Sequence, residues 1–235
     1  MSVNLQDYTN IEERMQALMD LPKASFMKDA REHFDPSGAV AVEMNEGGVT
    51  SPDAEYPALG TMSLATCIGV AVHNPLTKAT GLVHVVSEGA LSQMSSESVK
   101  SLSAVLNSVH QGEGDPMEAR LVGAQMGGAM QDGILNEIID MLAEHNVSVL
   151  SFDVKGKPAP MHIAVDSACW EDGLVRGGSD ASDFLHDPDT GGVEEMIRQK
   201  QNSVNLDDMV WLAATHDSLV YDGTKQNVPD STLDI

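Results

Sequence analysis

Two apolar runs set back to back constrain this chain more than any other feature. Leu64 to His73 and Gly81 to Val86 are rich in small and β-branched residues, with only Asn74-Pro75-Leu76-Thr77-Lys78-Ala79-Thr80 between them. Runs of this length suit strands, and the Asn-Pro step opens a turn, so the pattern predicts a β-hairpin. A hairpin brings side chains that are distant in sequence onto neighbouring strands, where they touch. Around it, apolar spacing predicts helices over 9–32, 96–109 and 133–145, and strands over 40–44, 118–123, 146–152 and 161–165. Leu174-Val175 marks a last strand, and the turn-rich Asn45 to Pro57 reads as a surface loop. Strands and helices alternate without a strict βαβ rhythm. The expected class is therefore α+β, with helices packed on a largely antiparallel or mixed sheet.

Composition narrows the function classes. The 235 residues are 42% hydrophobic but only 4% aromatic, so the core must be built from Val, Ile, Leu, Ala and Met. Thirty-six acidic against 13 basic residues give a formal charge of −23. That balance excludes nucleic acid and anionic membrane surfaces as partners, because both demand a basic footprint. The N-terminal MSVNLQDYTNIEERMQ lacks the basic start and apolar centre of a secretory leader. No apolar run approaches the ~20 residues of a membrane span, so a cytoplasmic protein without membrane insertion is expected. Past Gly177 the sequence RGGSDASDFLHDPDTGG turns acidic and rich in Gly, Ser and Asp, as a linker does. The chain divides accordingly into an N-terminal helical extension (1–37), a central domain (38–176), and an acidic linker with a C-terminal extension (177–235). Short helices are expected there over 193–200 and 206–215.

The hairpin carries the first candidate for chemistry. Cys67 lies on one strand-like run and His84 on the next, 17 positions later, and Thr61 precedes the cysteine by six. A thiol becomes a nucleophile when a neighbouring imidazole takes its proton, and a third polar group can fix that imidazole. Thr61 has the oxygen for that task. Set against this, a buried cysteine is usually a small hydrophobe. Cys169, in DSACWEDG, has no histidine near it in sequence and reads as structural. His33, His73, His110, His145, His162, His186 and His216 show no metal-ligand spacing, so no metal site is expected. The glycine-rich GAQMGG at 123–128 lacks the lysine of a phosphate loop.

The stretch Thr61 to His84, TMSLATCIGVAVHNPLTKATGLVH, resembles the signature of the chemoreceptor glutamine deamidase family, CheD. Thr61, Cys67 and His84 fall at the family's catalytic positions. LVGAQMGG at 121–128, Gly133 with Asn136, and Asp153-Val154-Lys155-Gly156 resemble motifs further along. The chain departs from the family pattern at Ser63 and Ala65, which replace glycines, at Thr66, which replaces serine, and at Pro158-Ala159-Pro160-Met161, which replace a Gly-Arg pair. The resemblance covers roughly residues 38 to 176. It implies an α/β/α-type layered sandwich and a cysteine-dependent protein-glutamine glutaminase acting in chemotaxis adaptation. Cys67 would be the nucleophile, His84 the acid and base, and Thr61 the orienting group, with no metal or organic cofactor. The implied partners are chemoreceptor helices or another glutamine-bearing protein, with a chemotaxis phosphatase-type protein as a second partner. Two other readings stay open: a non-catalytic binding module in a signalling complex, and a deamidase of a host or other cellular protein. Methyl-ester hydrolysis at glutamate would use the same steps.

Overall fold

The hairpin forms. In the computed structural model, β5 (Ile68–His73) and β6 (Thr80–Val85) pair antiparallel, with Gly69 opposite His84 and His73 opposite Thr80. The structure describes residues 1–24, 39–54, 56–61, 64–88, 93–110, 112, 114–124, 129–154, 162–177 and 220–222. The hairpin is the centre of a larger sheet. It also contains β1 (Val3–Asn4), β3 (Gly47–Thr50), β7 (Met117–Gly123), β8 (Val147–Val154) and β11 (Val220–Asp222), in the order β1-β8-β7-β5-β6-β3-β11. The β7–β8 and β3–β11 pairs are parallel and the rest antiparallel. A second sheet, in the order β10-β9-β4-β2, is built from β2 (Ala39–Ala41), β4 (Ala58–Thr61), β9 (His162–Asp166) and β10 (Val175–Gly177).

Period-two alternation sorts the hairpin's side chains into two cores. Ile68, Val70, Val72, Val83 and Val85 pack with the helices α1 (Ile11–Met19), α2 (Ser96–Val109) and α3 (Ala129–Glu144). Cys67, Ala71 and Leu82 face the other way, into a core shared with Leu59, Ile163 and Val165 of the second sheet. Both faces of β5 and β6 are thus covered, which is why these strands read as continuous apolar runs. The molecule is α+β, a layered sandwich with two mixed sheets. On the face of the large sheet opposite the helices, the described layer is the second sheet.

The strand expected over 40–44 is shorter, Ala39–Ala41, and two helices differ in their bounds from the sequence reading. The first helix spans Ile11–Met19 rather than 9–32. Asn10 caps it by accepting the Glu13 N–H at 2.9 Å, and Leu21-Pro22 follow its end, where a proline cannot continue the ladder. Residues 25–32 lie outside the described residues. The third helix begins four residues early, at Ala129, which leaves Gly133 inside it.

The larger correction concerns Asn45 to Pro57, expected as a surface loop. It contains β3, four buried residues paired with β6. Its glycines do not mark a turn. A β-carbon on Gly47 would lie 2.7 Å from Val105 Cγ2 and one on Gly48 3.0 Å from Leu59 Cδ2. They let α2 and the second sheet approach the strand closely. The helices expected over 193–200 and 206–215 fall outside the described residues. The rest of the 177–235 segment does so too, apart from Gly177 at the end of β10 and β11, which joins the large sheet beside β3.

Candidate active site

Thr61 is the last residue of β4, in the second sheet, and His84 is the fifth residue of β6, in the large one. Their side chains meet between the sheets, with Thr61 Oγ1 2.8 Å from His84 Nδ1. The Thr61 hydroxyl also lies 2.7 Å from the carbonyl of Val42. A carbonyl only accepts, so Thr61 spends its one proton on Val42 and accepts from His84. This fixes the tautomer. Nδ1 carries the proton, and Nε2 is left with a lone pair. Nε2 is buried and has no hydrogen-bond partner. A buried, unsatisfied ring nitrogen is costly, and such exceptions call for a functional explanation.

Cys67 precedes β5 by one residue and packs into the same inter-sheet core as Leu82, on the face that His84 shares. His84 stands opposite Gly69, and Cys67 is two residues before Gly69. Cys67 thus stands at the end of the ladder, one residue outside the pair Ile68–Val85. The backbone groups of His84 bond to the other side, to Glu46 and Asn45. The Gly69–His84 position is then a non-hydrogen-bonded pair, the kind in which side chains approach more closely. Thiol and imidazole are not hydrogen-bonded in this structure, because Nε2 has no partner. The Cys67 sulfur has the Thr66 hydroxyl at 3.9 Å.

Burial sets the protonation states. It pushes His84 down to about 4 and the Cys67 thiol up, the latter opposed by the Thr66 hydroxyl. Burial is the leading cause of both shifts. At neutral pH the site holds a thiol and a neutral imidazole rather than an ion pair. A neutral imidazole with a free ring nitrogen is the form that can accept a proton.

The loop bearing Cys67 is tied from below. Ala124 N–H donates to both the Cys67 carbonyl at 2.8 Å and the Leu64 carbonyl at 3.1 Å. The preceding Gly123 sits at φ 127°, and a β-carbon there would run into the Cys67 carbonyl. Ala124 itself is held in the left-handed region at φ 51°, a conformation costing an L-residue about 1 kcal/mol. Ala65, which stands where the resembled motif has glycine, is not among the described non-glycine residues with positive φ. Alanine there carries no backbone strain.

The sequence reading named Thr61, Cys67 and His84, and the structure joins Thr61 to His84 and sets Cys67 on their face. It did not name the Val42 carbonyl or the Gly123-Ala124 clamp. The clamp left a trace in the GAQMGG run; a backbone carbonyl leaves none. Cys169 caps the short 3-10 helix Trp170–Asp172 as a free, half-buried thiol, pushed up by burial and by Asp166 and Asp172. Among the described residues no three His, Cys, Asp or Glu side chains cluster as a metal site does. His33, His186 and His216 fall outside them. No described helix is long and apolar enough to cross a membrane.

No family model matches the chain. A curated relative, the uncharacterized protein RC0134 of Rickettsia conorii, is 28% identical over 133 residues, covering 54% of this chain and 73% of that protein. Among solved structures, the hypothetical protein YfiH of Bacillus licheniformis overlaps 64% of this chain and 72% of its own. The TM-score is 0.36 at 11% identity. Neither name states a chemistry.

Proposed function

We propose that the protein is a cysteine-dependent amidohydrolase that converts protein glutamine to glutamate, with Cys67, His84 and Thr61 as its machinery. One observation carries the reading: a buried His84 Nε2 without a partner, its tautomer locked by Thr61, on the same sheet face as a thiol. The Cys67 proton passes to Nε2, and sulfur attacks the carboxamide carbon. Backbone N–H groups beside Cys67 stabilise the oxyanion. The C–N bond breaks as His84 returns the proton to the departing ammonia, leaving a thioester. His84 then takes a proton from water, the hydroxide displaces sulfur, and glutamate and thiol are released. The sum is amide plus water to acid plus ammonia, with no metal or organic cofactor required. Chemoreceptor helices are the proposed substrate class, on the strength of the sequence resemblance.

Mass spectrometry of glutamine-bearing receptor fragments tests this. Wild type is expected to produce the mass gain of amide-to-acid conversion at glutamine, and Cys67→Ala none. No gain with wild type, combined with Cys67 alkylation that is indifferent to His84→Gln, overturns the reading. A second reading, a non-catalytic binding module, is favoured by the burial of the thiol, whose ionisation is pushed up. That same overturning result would support it.

A further inference from the structure

Three bonds hold His84, two of them directly on Asn45 and Glu46 and the third on Thr61, which is itself tied to Val42. Its imidazole reaches the Val42 carbonyl through Thr61. Its carbonyl accepts the Asn45 N–H at 3.0 Å, and its N–H donates to the Glu46 carbonyl at 3.0 Å. The stretch is a tight turn, closed by Glu46 N–H on the Glu43 carbonyl at 3.0 Å. Asn45 sits within it at φ 69°, where asparagine is among the few tolerated side chains.

The turn is itself anchored. Asn45 Oδ1 accepts from the Ser98 hydroxyl at 2.8 Å and from the Ser95 hydroxyl, and the Asn45 carbonyl accepts from the Ser101 hydroxyl at 2.6 Å. Ser95, Ser98 and Ser101 recur every three residues and are buried, a polar stripe along the sheet-facing side of α2. Ser98 Oγ also accepts the N–H of Val86, two residues beyond His84. A stripe of buried hydroxyls is an unusual choice for a helix face that packs on a sheet. Here every one of them ends on Asn45.

We infer that Asn45 is a positioning residue for His84. Its carboxamide, pinned by the serine stripe, fixes the turn that sets the tilt of the imidazole and the direction of Nε2. The inference rests on His84 being the base of the proposed reaction; Asn45 touches none of the reacting atoms.

The test compares Asn45→Gly, which keeps the positive φ and the N–H but removes the anchor, with Asn45→Asp, which keeps an acceptor oxygen. Three quantities are measured on the full chain: the Cys67 alkylation rate with iodoacetamide across pH, the ¹⁵N shifts of the His84 ring, and the thermal midpoint. Asn45→Gly is expected to lower the His84-dependent part of the rate roughly tenfold to a hundredfold. It should also replace the single Nδ1–H tautomer with a mixture, and Asn45→Asp should restore both. A glycine variant whose thermal midpoint falls while the pH profile and ring shifts stay as in wild type overturns the inference. Should wild-type alkylation show no dependence on His84, the deamidase reading fails, yet the ring shifts still decide whether Asn45 orients the imidazole. If Asn45→Gly does not fold, Ser98→Ala removes one anchoring hydroxyl and is read in the same way.

Discussion

The β5–β6 hairpin carries a buried histidine at each end of the same face, and each meets a threonine hydroxyl through Nδ1. His84 has Thr61 at 2.8 Å and His73 has Thr80 at 2.7 Å. Both are pushed down to about 4. About four residues of strand, ~13 Å, separate them. The surroundings differ. His73 pairs within the hairpin and stacks on Trp170, with ring centroids 4.9 Å apart and planes 13° from parallel. The Arg120 guanidinium lies 4.8 Å from the centroid of the same indole, whose N–H donates to Glu118. Burial lowers His73 most, with the positive charges of Lys78 and Arg120 adding to it. A cavity of about 210 Å³ lies beside it, lined by Lys78, Ser167 and Trp170 among others. His84 instead bonds across two sheets and keeps a naked Nε2 on the face of a thiol. A histidine–threonine contact is therefore not a site in itself. What the ring's second nitrogen faces decides its role.

Exchanging the two rings for glutamine gives the largest contrast. His84→Gln should cut deamidation and the fast component of Cys67 alkylation by about 10²–10⁴-fold, the usual worth of a general base. His73→Gln should leave both rates at the wild-type value and lower only the thermal midpoint. Equal loss of activity in the two variants would erase the distinction. Next in size, Trp170→Ala should cost about 3–5 kcal/mol in denaturant unfolding, because Trp170 is 2% exposed and holds Arg120 and His73 together. The alkylation rate of the remaining folded protein should not change.

The hairpin end of this contrast was legible in the sequence, because β-branched alternation and an Asn-Pro turn are local signals. That Cys67 and His84 share one face followed from that hairpin. The other half of the site was not legible. β3 is disguised by Gly47 and Gly48, which serve close packing against Val105 and Leu59. The serines at 95, 98 and 101 carry no local signal that they anchor Asn45, 50 or more residues away in sequence. That Thr61 belongs to a second sheet is a tertiary fact, as is the Trp170–Arg120–His73 stack assembled from β5, β7 and a short 3-10 helix. The −23 charge is plain in the composition, whereas the burial that leads the shifts of Cys67 and His84 is visible only in the fold.

Smaller effects sharpen the difference between a bond across sheets and a bond within one. Thr61→Val removes the acceptor for Nδ1–H and frees the ring. About 1 kcal/mol of lost orientation corresponds to roughly fivefold in rate. Thr80→Val should leave Cys67 chemistry unchanged. In stability the two histidines should act alike. Each has its folded value below the ordinary 6.5, so the unfolded chain binds more protons between pH 6.5 and about 4. The stabilisation is present above pH 6.5 and is lost as pH falls through that window. Thermal midpoints measured from pH 7 to 4 should fall in wild type, and His73→Gln and His84→Gln should each flatten the slope. A slope unchanged by either substitution would mean that the rings titrate normally.

The smallest effects come from the backbone. Each end of the hairpin has a non-glycine residue in the left-handed region nearby: Lys78 at φ 62° beside Thr80, and Ala124 at φ 51° beneath Cys67. Glycine at either position relieves steric strain but adds chain entropy to the unfolded state, so the net change is under about 1 kcal/mol. Denaturant midpoints should rise slightly for both Lys78→Gly and Ala124→Gly. Alkylation should separate them. Lys78 lies in the turn, where its N–H donates to the Asn74 carbonyl at 2.8 Å, and loosening it reaches His73 only. The Ala124 N–H clamps the Leu64 and Cys67 carbonyls, so a glycine there lets the Cys67 loop move and should slow its alkylation. If Ala124→Gly alkylates as fast as wild type, the clamp is packing alone, and the asymmetry between the two ends resides in the His84 ring and its turn.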